Sequence, residues 1–161
     1  MIFVTVGTHE QGFDRLIKEV DNIAEKTNEH IIVQKGYTKY DPKHCSSYDL
    51  ISNDKMNKYM QDADLIITHG GPSTYMAALS AGKQVIVVPR LSQFNEHVND
   101  HQLEFAQKIN EVSDYNLTIV TDIHELETAI QQKLNNPYKT DLVSNTHKFN
   151  TMFQNILERY L

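Results

Sequence analysis

The most constraining feature of the sequence is a pair of continuous apolar runs, Leu65–Thr68 and residues 85–88, separated by one short helical segment. Runs of this kind are typical of strands that helices cover on both faces. The segment between them, residues 73–81, is closed by Gly82, a common residue just past a helix end. Nine helical residues rise ~13 Å, which matches the ~13 to 17 Å of a four- or five-residue strand. The helix can therefore carry the chain back to the start of a second strand that runs parallel to the first.

The same alternation extends along the chain. Further strands are predicted at residues 2–6, 31–34, 48–52 and 117–120. Further helices are predicted at residues 13–23, after a cap at Asn53 or Asp54 through Met60, at 95–110, at 122–134 and at 144–160. Strands that alternate with helices predict one α/β domain over residues 1–161, with a Rossmann-like, doubly wound parallel sheet.

Composition narrows the class of protein. The chain has 161 residues, of which 40% are hydrophobic and 22% charged, as in ordinary soluble domains. The formal net charge of -6 argues against nucleic-acid binding, because that function needs a basic face to displace counterions. The single cysteine, Cys45, cannot form an internal disulfide, so we expect a cytoplasmic protein with an inert thiol. No segment approaches the ~20 apolar residues that span a bilayer.

Ligands of open parallel sheets bind outside the carboxyl ends of the strands. Three loops of this chain leave such ends: residues 7–12, 69–72 and 89–95. Asp62 and Asp64 form a D-x-D pattern, but they precede a strand and are predicted to be solvated at the opposite edge.

The middle loop carries the strongest signal, in the segment 68–74. Gly70 and Gly71 leave room for a ligand to approach the backbone, and Pro72 suits the first turn of a helix. The helix would present free N–H groups at the positive end of its dipole. These groups belong to Ser73, Thr74 and Tyr75. The segment predicts a diphosphate site, and the alternative is an ordinary Gly-Pro helix start.

A second cluster of polar side chains opens the predicted helix 95–110. It comprises Glu96, His97, Asn99, Asp100, His101 and Gln102. Acids, imidazoles and amides can hydrogen-bond sugar hydroxyls and the edge of a phosphate. His97 and His101 are four residues apart, but a zinc protease helix needs Glu where this chain has Val98, so no metal is predicted. The alternative is a solvated polar first turn.

The first loop, residues 7–12, lacks the G-x-G-x-x-G pattern of dinucleotide-binding proteins. This argues against a nicotinamide or flavin enzyme, and no cofactor is predicted. His9 in this loop is a candidate proton acceptor or phosphate contact, with a surface histidine as the alternative. Arg90, just past a strand end, is predicted either to neutralise phosphate charge or to face solvent.

Several blocks of sequence, in this order, resemble the C-terminal domain of family 28 glycosyltransferases. They are residues 3–8, 63–74, 82–83, 87–90 and 100–102. The chain is similar to the small soluble subunits of split transferases in bacterial capsule and exopolysaccharide synthesis. It is also similar to the soluble subunit of the eukaryotic dolichol-linked GlcNAc transferase. The resemblance covers most of residues 1–110.

This resemblance implies one half of a GT-B enzyme, which binds a UDP-sugar donor and transfers the sugar with inversion and without a metal. A membrane-associated partner subunit would supply the acceptor-binding half and hold this chain at the inner face of the cell membrane. His9 is the candidate catalytic base within the chain. The predicted donor-binding residues are Gly7, Thr8, His69, Gly70, Gly71, Ser73, Thr74, Arg90, Glu96, His97, Asp100, His101 and Gln102.

One position departs from the family pattern. The family commonly has a glutamate that binds the ribose hydroxyls where this chain has Ala77. The alternative function is therefore a non-catalytic subunit that stabilises or stimulates a membrane-bound transferase. The apolar stripe of the predicted helix 144–160 favours docking on the partner over packing on its own core. A homodimer is left open.

Overall fold

The computed structural model describes residues 1–112 and 117–137, and six parallel strands form one sheet within them. The elements run in the order β1 (Ile2–Thr5), α1 (Asp14–Lys26), β2 (Ile31–Gln34), β3 (Ser46–Tyr48), α2 (Asn53–Asp62), β4 (Leu65–Thr68), α3 (Pro72–Ser80), β5 (Gln84–Val87), α4 (His101–Val112), β6 (Thr118–Ile119) and α5 (Leu126–Asn135). Short 3₁₀ turns at Ser92–Phe94 and Ile123–Glu125 precede α4 and α5.

The strand order is β3-β2-β1-β4-β5-β6, so the chain reverses its direction of growth between β1 and β4. Thr5 pairs with Thr68 where these two strands end. Helices cover both faces of the sheet, with α1 and α5 on one and α2, α3 and α4 on the other. The Rossmann-like, doubly wound fold predicted from the alternating pattern is confirmed.

Side chains alternate between two cores along each strand. Ile2 and Val4 of β1 pack with α1, whereas Phe3 between them packs with Tyr75 and Leu79 of α3. All five of these side chains are fully buried. Strands with apolar side chains on both faces therefore appear in the sequence as continuous apolar runs.

The predicted third strand is displaced along the chain. It was expected at residues 48–52, but β3 is Ser46–Tyr48 and pairs in register with β2. β3 lies at the edge of the sheet, where polar residues are tolerated, and hydrophobicity was therefore a poor guide. Leu50 and Ile51 lie in the loop that follows. The helix after them is capped by Ser52, which accepts a hydrogen bond from Lys55 N–H, and not by Asn53 or Asp54.

The predicted helix at residues 95–110 begins six residues later, at His101. Asn95 has a φ of 56°, in the left-handed region, and ends the preceding 3₁₀ turn. A residue in that conformation interrupts a right-handed helix. The polar cluster from Glu96 to Asp100 is therefore loop, and only His101 and Gln102 stand on α4. The predicted helix 144–160 lies outside the described residues.

Asp62 and Asp64 lie where β4 begins, as predicted for the D-x-D pattern. The N–H of Asp64 donates to the carbonyl of Met1 at the start of β1. This is the amino-terminal edge of the sheet, away from the loops that leave the carboxyl ends. In the part of the chain that the structure describes, no helix combines the length and the apolarity needed to cross a membrane.

The thiol of Cys45 is expected to react slowly with alkylating agents in the folded chain. Burial, followed by the negative charge of Asp21, raises the pKa of this thiol to about 12. Because the thiolate is the reactive form, alkylation near pH 8 should be slower than in the unfolded chain by roughly a hundredfold or more. An iodoacetamide time course read by mass spectrometry, with and without guanidinium chloride, measures this ratio. Native and unfolded rates within threefold of each other would contradict it.

Candidate nucleotide site

The three predicted loops converge at the carboxyl-terminal edge of the sheet. The loop after β1 and the loop after β4 lie side by side, because their strands are paired at the point where the strand order reverses. In doubly wound sheets this crevice is the usual ligand site. The start of α3, directly after β4, adds a helix N-terminus to the crevice.

A pocket of about 250 Å³ lies in this crevice. Its walls are formed by Thr5, Gly7, Thr8, Gln34, Leu50, Ile51, Asn53, Met56, His69, Ser73 and Thr74. Five members of the predicted donor-binding set are among them: Gly7, Thr8, His69, Ser73 and Thr74. The pocket has a polar side at the start of α3 and an apolar side formed after β3. Neither lysine nor arginine lines it.

The first turn of α3 leaves fewer free N–H groups than predicted. The N–H groups of Thr74 and Tyr75 donate to the carbonyl of Gly71, at 3.2 and 3.5 Å. The prediction is therefore wrong for these two groups, because the first turn is tight enough to bond them to the capping residue. Among residues 1–112 and 117–137, the N–H groups of Ser73 and Thr8 have no acceptor. Both loops thus retain an unpaired N–H that can bind an anion.

Gly70 and Gly71 make room for side chains of the chain itself. A methyl group at Gly70 would lie 2.5 Å from Cβ of Gln102, and one at Gly71 would overlap Nε2 of His69. The prediction that these glycines leave space for a ligand therefore misses their main contacts. Their lack of a side chain lets α4 and the His69 ring approach the loop closely.

His69 stands at the centre of the site, between two loops. Its N–H donates to Thr5 O at 3.2 Å, and its ring lies beside both Gly7 and Gly71. Burial, assisted by the positive charge of Arg90, lowers the pKa of His69 to about 4. The ring is therefore neutral at physiological pH and offers one donor and one acceptor.

Arg90 is fully buried, which corrects the expectation that it faces solvent. Its guanidinium donates to the carbonyls of Val6, Gln11, Gly12 and Glu96, at 2.8 to 3.2 Å. Burial lowers the pKa of Arg90 to about 10, against the opposing effect of the Glu96 carboxylate. In this conformation the guanidinium ties the first loop to the loop after β5 and has no exposed surface for a phosphate.

Glu96 is likewise engaged within the protein. Its carboxylate accepts two hydrogen bonds from Arg15, both at 2.9 Å, and a third from Leu91 N–H. Only 4% of Glu96 is exposed. This paired carboxylate holds the loop after β5 against α1, and in this conformation it is closed to a sugar hydroxyl.

The residues from Asp100 to Gln102 shape the loops around the site. Asp100 accepts a hydrogen bond from Ser92 N–H at 2.7 Å. Oε1 of Gln102 accepts from the N–H groups of Gly70 and Arg90, at 3.1 and 3.2 Å. His101 is exposed and contacts Glu104 at 3.2 Å. Asp100 thus closes the loop after β5 on itself, and Gln102 cross-links the loops after β4 and β5. His101 is open to a ligand or partner.

His9 and His97 form a pair at the rim of the site. Their ring centroids are 4.9 Å apart, and His9 Nε2 lies 2.9 Å from Oε1 of Gln11. His9 is exposed and therefore accessible to an acceptor hydroxyl. His97 and His101 do not share a ligand site with a third donor, since the described residues contain no cluster of three metal-ligating side chains.

Gln34 is a site residue that the sequence reasoning missed. It ends the apolar strand β2 and is only 2% exposed. Its side chain accepts from Thr5 Oγ1 at 2.6 Å and donates to Gly7 O and Asp49 O, both at 3.0 Å. One amide thus fastens the loops after β1 and β3 around the pocket. The sequence signal for Gln34 was a polar amide at the end of a strand that otherwise contains Ile and Val.

A larger depression of about 740 Å³ lies beyond the ends of β5 and β6. Its walls include Arg15, Phe94, Asp100 and His124. It does not include the α3 N-terminus or either of the unpaired N–H groups. Size alone therefore does not identify the candidate site; the smaller pocket at the strand reversal is the one that lies at the start of α3.

Comparisons with known proteins identify the family and the fold. Residues 1–160 match the family described as Glycosyltransferase family 28 C-terminal domain. The chain is similar to UDP-N-acetylglucosamine transferase subunit ALG13 of Mus musculus, with 32% identity over 120 residues. The subunit of that name from Candida albicans is 33% identical over 81 residues. These regions are 67% and 50% of this chain, but only 10% and 25% of the two relatives.

Among solved structures, the chain resembles the glycotransferase of kitacinnamycin, with a TM-score of 0.64 and 15% identity. The likeness covers 84% of this chain and 35% of that protein. At this identity it supports the fold alone.

Proposed function

Because this chain belongs to the glycosyltransferase family 28 C-terminal domain family, we propose that it is the UDP-sugar-binding subunit of a two-component, inverting glycosyltransferase. The observation that carries the proposal is the pocket at the strand reversal, where α3 begins beside the loop after β1. Unpaired N–H groups of Thr8 and Ser73 and the hydroxyls of Ser73 and Thr74 suit a diphosphate.

The pocket also has a place for the nucleoside. Leu50, Ile51 and Met56 form an apolar wall on the same pocket as the polar start of α3. A planar base packs well against such a wall, and Asn53 beside it offers an amide for hydrogen bonds. In this arrangement the donor diphosphate lies at Ser73 and the donor sugar extends toward the loop after β5.

The partner in this proposal is a membrane-associated subunit that supplies the acceptor-binding half. The ALG13 relatives are named as transferase subunits, and the chain spans a quarter or less of the length of those compared above. We place the acceptor, a lipid-linked sugar of capsule or exopolysaccharide synthesis, at the inner face of the cell membrane. His9 is the candidate base within this chain, since it is exposed at the rim.

A second candidate function is a non-catalytic subunit that stabilises or stimulates its partner. Two observations favour it: Ala77 stands on α3 where the family commonly has a ribose-binding acid, and no cationic side chain lines the pocket. Arg90, the arginine of the predicted donor-binding set, donates to backbone carbonyls instead. Donor binding by the chain alone is therefore expected to be weak.

Calorimetric titration with UDP and several UDP-sugars tests the proposal. The double variant Ser73→Ala/Thr74→Ala should weaken UDP binding about tenfold or more, because hydrogen bonds to a charged group are lost. Ser80→Ala is the matched control, since Ser80 is an exposed serine at the other end of α3. Its affinity should equal that of the unaltered chain.

Two results would contradict the proposal. Failure of the unaltered chain to bind UDP, both alone and with the co-purified partner, would remove the donor site and leave the non-catalytic function. Sugar transfer by the chain alone would instead refute the two-component arrangement.

A further inference from the structure

The side chain of His69 fills the gap between the two loops that form the polar side of the pocket. A methyl group at Gly7 would lie 2.6 Å from Cε1 and 2.7 Å from Nε2 of this ring. A methyl group at Gly71 would overlap Nε2. The Nε2–Cε1 edge of one imidazole therefore lies close both to Gly7 in the loop after β1 and to Gly71, the residue that caps α3.

The two glycines are required for different reasons. Gly7 has a φ of +73°, so the backbone favours glycine there whatever its surroundings. Gly71 has a φ of -68°, which any residue adopts, and the three atoms nearest to an added methyl all belong to the His69 ring. The contact between Gly71 and His69 can therefore be tested without backbone strain.

We propose that His69 is a positioning residue, whose ring sets the separation between the Gly7 loop and the first turn of α3. This inference rests on the proposed nucleotide site, since the separation matters for holding a diphosphate. The ring keeps the Thr8 and Ser73 N–H groups in one pocket, because Gly7 beside Thr8 and Gly71 at the start of α3 both lie against its Nε2–Cε1 edge. It acts through these loops, and the donor is held by the loops themselves.

The charge state of the ring suits a packing role. A protonated imidazole would need a counter-ion, whereas the charged groups that act on His69 are Arg90, His9 and His97, all of which oppose its protonation. With a pKa of about 4 the ring stays neutral and can pack closely against backbone. NMR of the imidazole should show the neutral form throughout the range from pH 5.5 to 8.

A double-mutant cycle tests the spacer contact. Gly71→Ala should weaken UDP binding about tenfold or more, because the new methyl displaces the ring. In the His69→Ala background the same methyl enters the space left by the ring, so it should cause no further loss beyond about twofold. Additive effects of the two substitutions would overturn the proposal.

Gly70→Ala is the matched control for this cycle. Its methyl meets Cβ of Gln102 and not the ring, so its effect should be the same in the presence and absence of His69. Coupling of Gly70→Ala to His69→Ala would show that the loop responds as a whole, and this too would overturn the assignment.

A ligand comparison separates positioning of the diphosphate from general support of the fold. His69→Ala should weaken UDP about tenfold or more, but uridine, which lacks phosphates, by less than about threefold. Equal losses for both ligands would reduce His69 to a structural residue. The same cycle read by urea unfolding needs no ligand. Coupling in unfolding without any UDP binding by the unaltered chain would refute the nucleotide site and the positioning role, while leaving the packing contact.

Discussion

Replacement of Arg90 by methionine is expected to lower the free energy of unfolding by about 3 to 5 kcal/mol, at about 1 to 3 kcal/mol for each polar group left without a partner. Methionine fills a similar volume but donates no hydrogen bond, so two buried and two partly buried carbonyls lose their donor. Glu96 also loses a nearby positive charge, although Arg15 remains paired with it. Because whole domains are stable by only about 5 to 15 kcal/mol, this single change should bring the chain close to unfolding.

Urea unfolding followed by circular dichroism measures the effect. The free energy of unfolding of Arg90→Lys should lie between those of the unaltered chain and Arg90→Met, since a compact ammonium keeps the charge but cannot reach all four carbonyls at once. Lys18→Met is the control, because Lys18 is an exposed cation on α1 and its loss should change stability by less than about 0.5 kcal/mol. A loss below about 1 kcal/mol for Arg90→Met would show that the loops do not depend on the guanidinium.

Asp21 is expected to give the second large effect, and one that depends on pH. This carboxylate is 2% exposed and accepts hydrogen bonds from the N–H groups of Lys43 and His44 and from the Tyr40 hydroxyl. Burial acts to raise its pKa, but these hydrogen bonds outweigh burial and lower the pKa below its ordinary value of 3.8. Asp21→Asn should cost about 2 to 3 kcal/mol at pH 7, because hydrogen bonds to a charged group are lost.

The sign of the pH dependence follows from the lowered pKa. The unfolded chain binds the proton at a higher pH than the folded chain does, so the stabilisation is complete above the unfolded pKa. It is lost as the pH falls below about 3.8 toward the lower folded value. Asp21→Asn should therefore destabilise strongly at pH 7 and much less at pH 3. Glu25→Gln, at an exposed carboxylate on α1, should have little effect at either pH. An equal loss at both values would contradict the assigned charge.

The loop that Asp21 holds, residues 40–44, leads directly into β3. The sequence of this region predicted a loop, but nothing in it identified Asp21 as the anchor. Asp21 is one of four acids on α1, and acidic side chains on a helix are ordinarily solvated. Its partners come from more than 18 residues away in the chain, and only packing brings them together.

In the candidate site, too, the sequence predicted some features and only packing decided others. The position of the pocket could be predicted, because apolar runs define the strands and parallel strands present their loops at one edge. The roles of Arg90, Glu96 and Gln102 could not, because each bonds to groups in other segments of the chain. All three were expected to contact the donor, and in the structure their side chains bind the loops instead. The sequence shows which polar residues lie near the site, but residue type does not show whether a side chain binds a ligand or a neighbouring carbonyl.

By itself, the sequence determined the alternation of strands and helices, the crevice beside the start of α3 and the family of the chain. These properties depend on local periodicity and on short motifs, which act within a few residues. Only the tertiary structure decided which N–H groups of α3 stay free, that Arg90 is buried, and that His69 separates the two loops. Those outcomes depend on distances between segments far apart in the chain. Position 71 needs glycine, for example, because packing places the His69 ring against the backbone there.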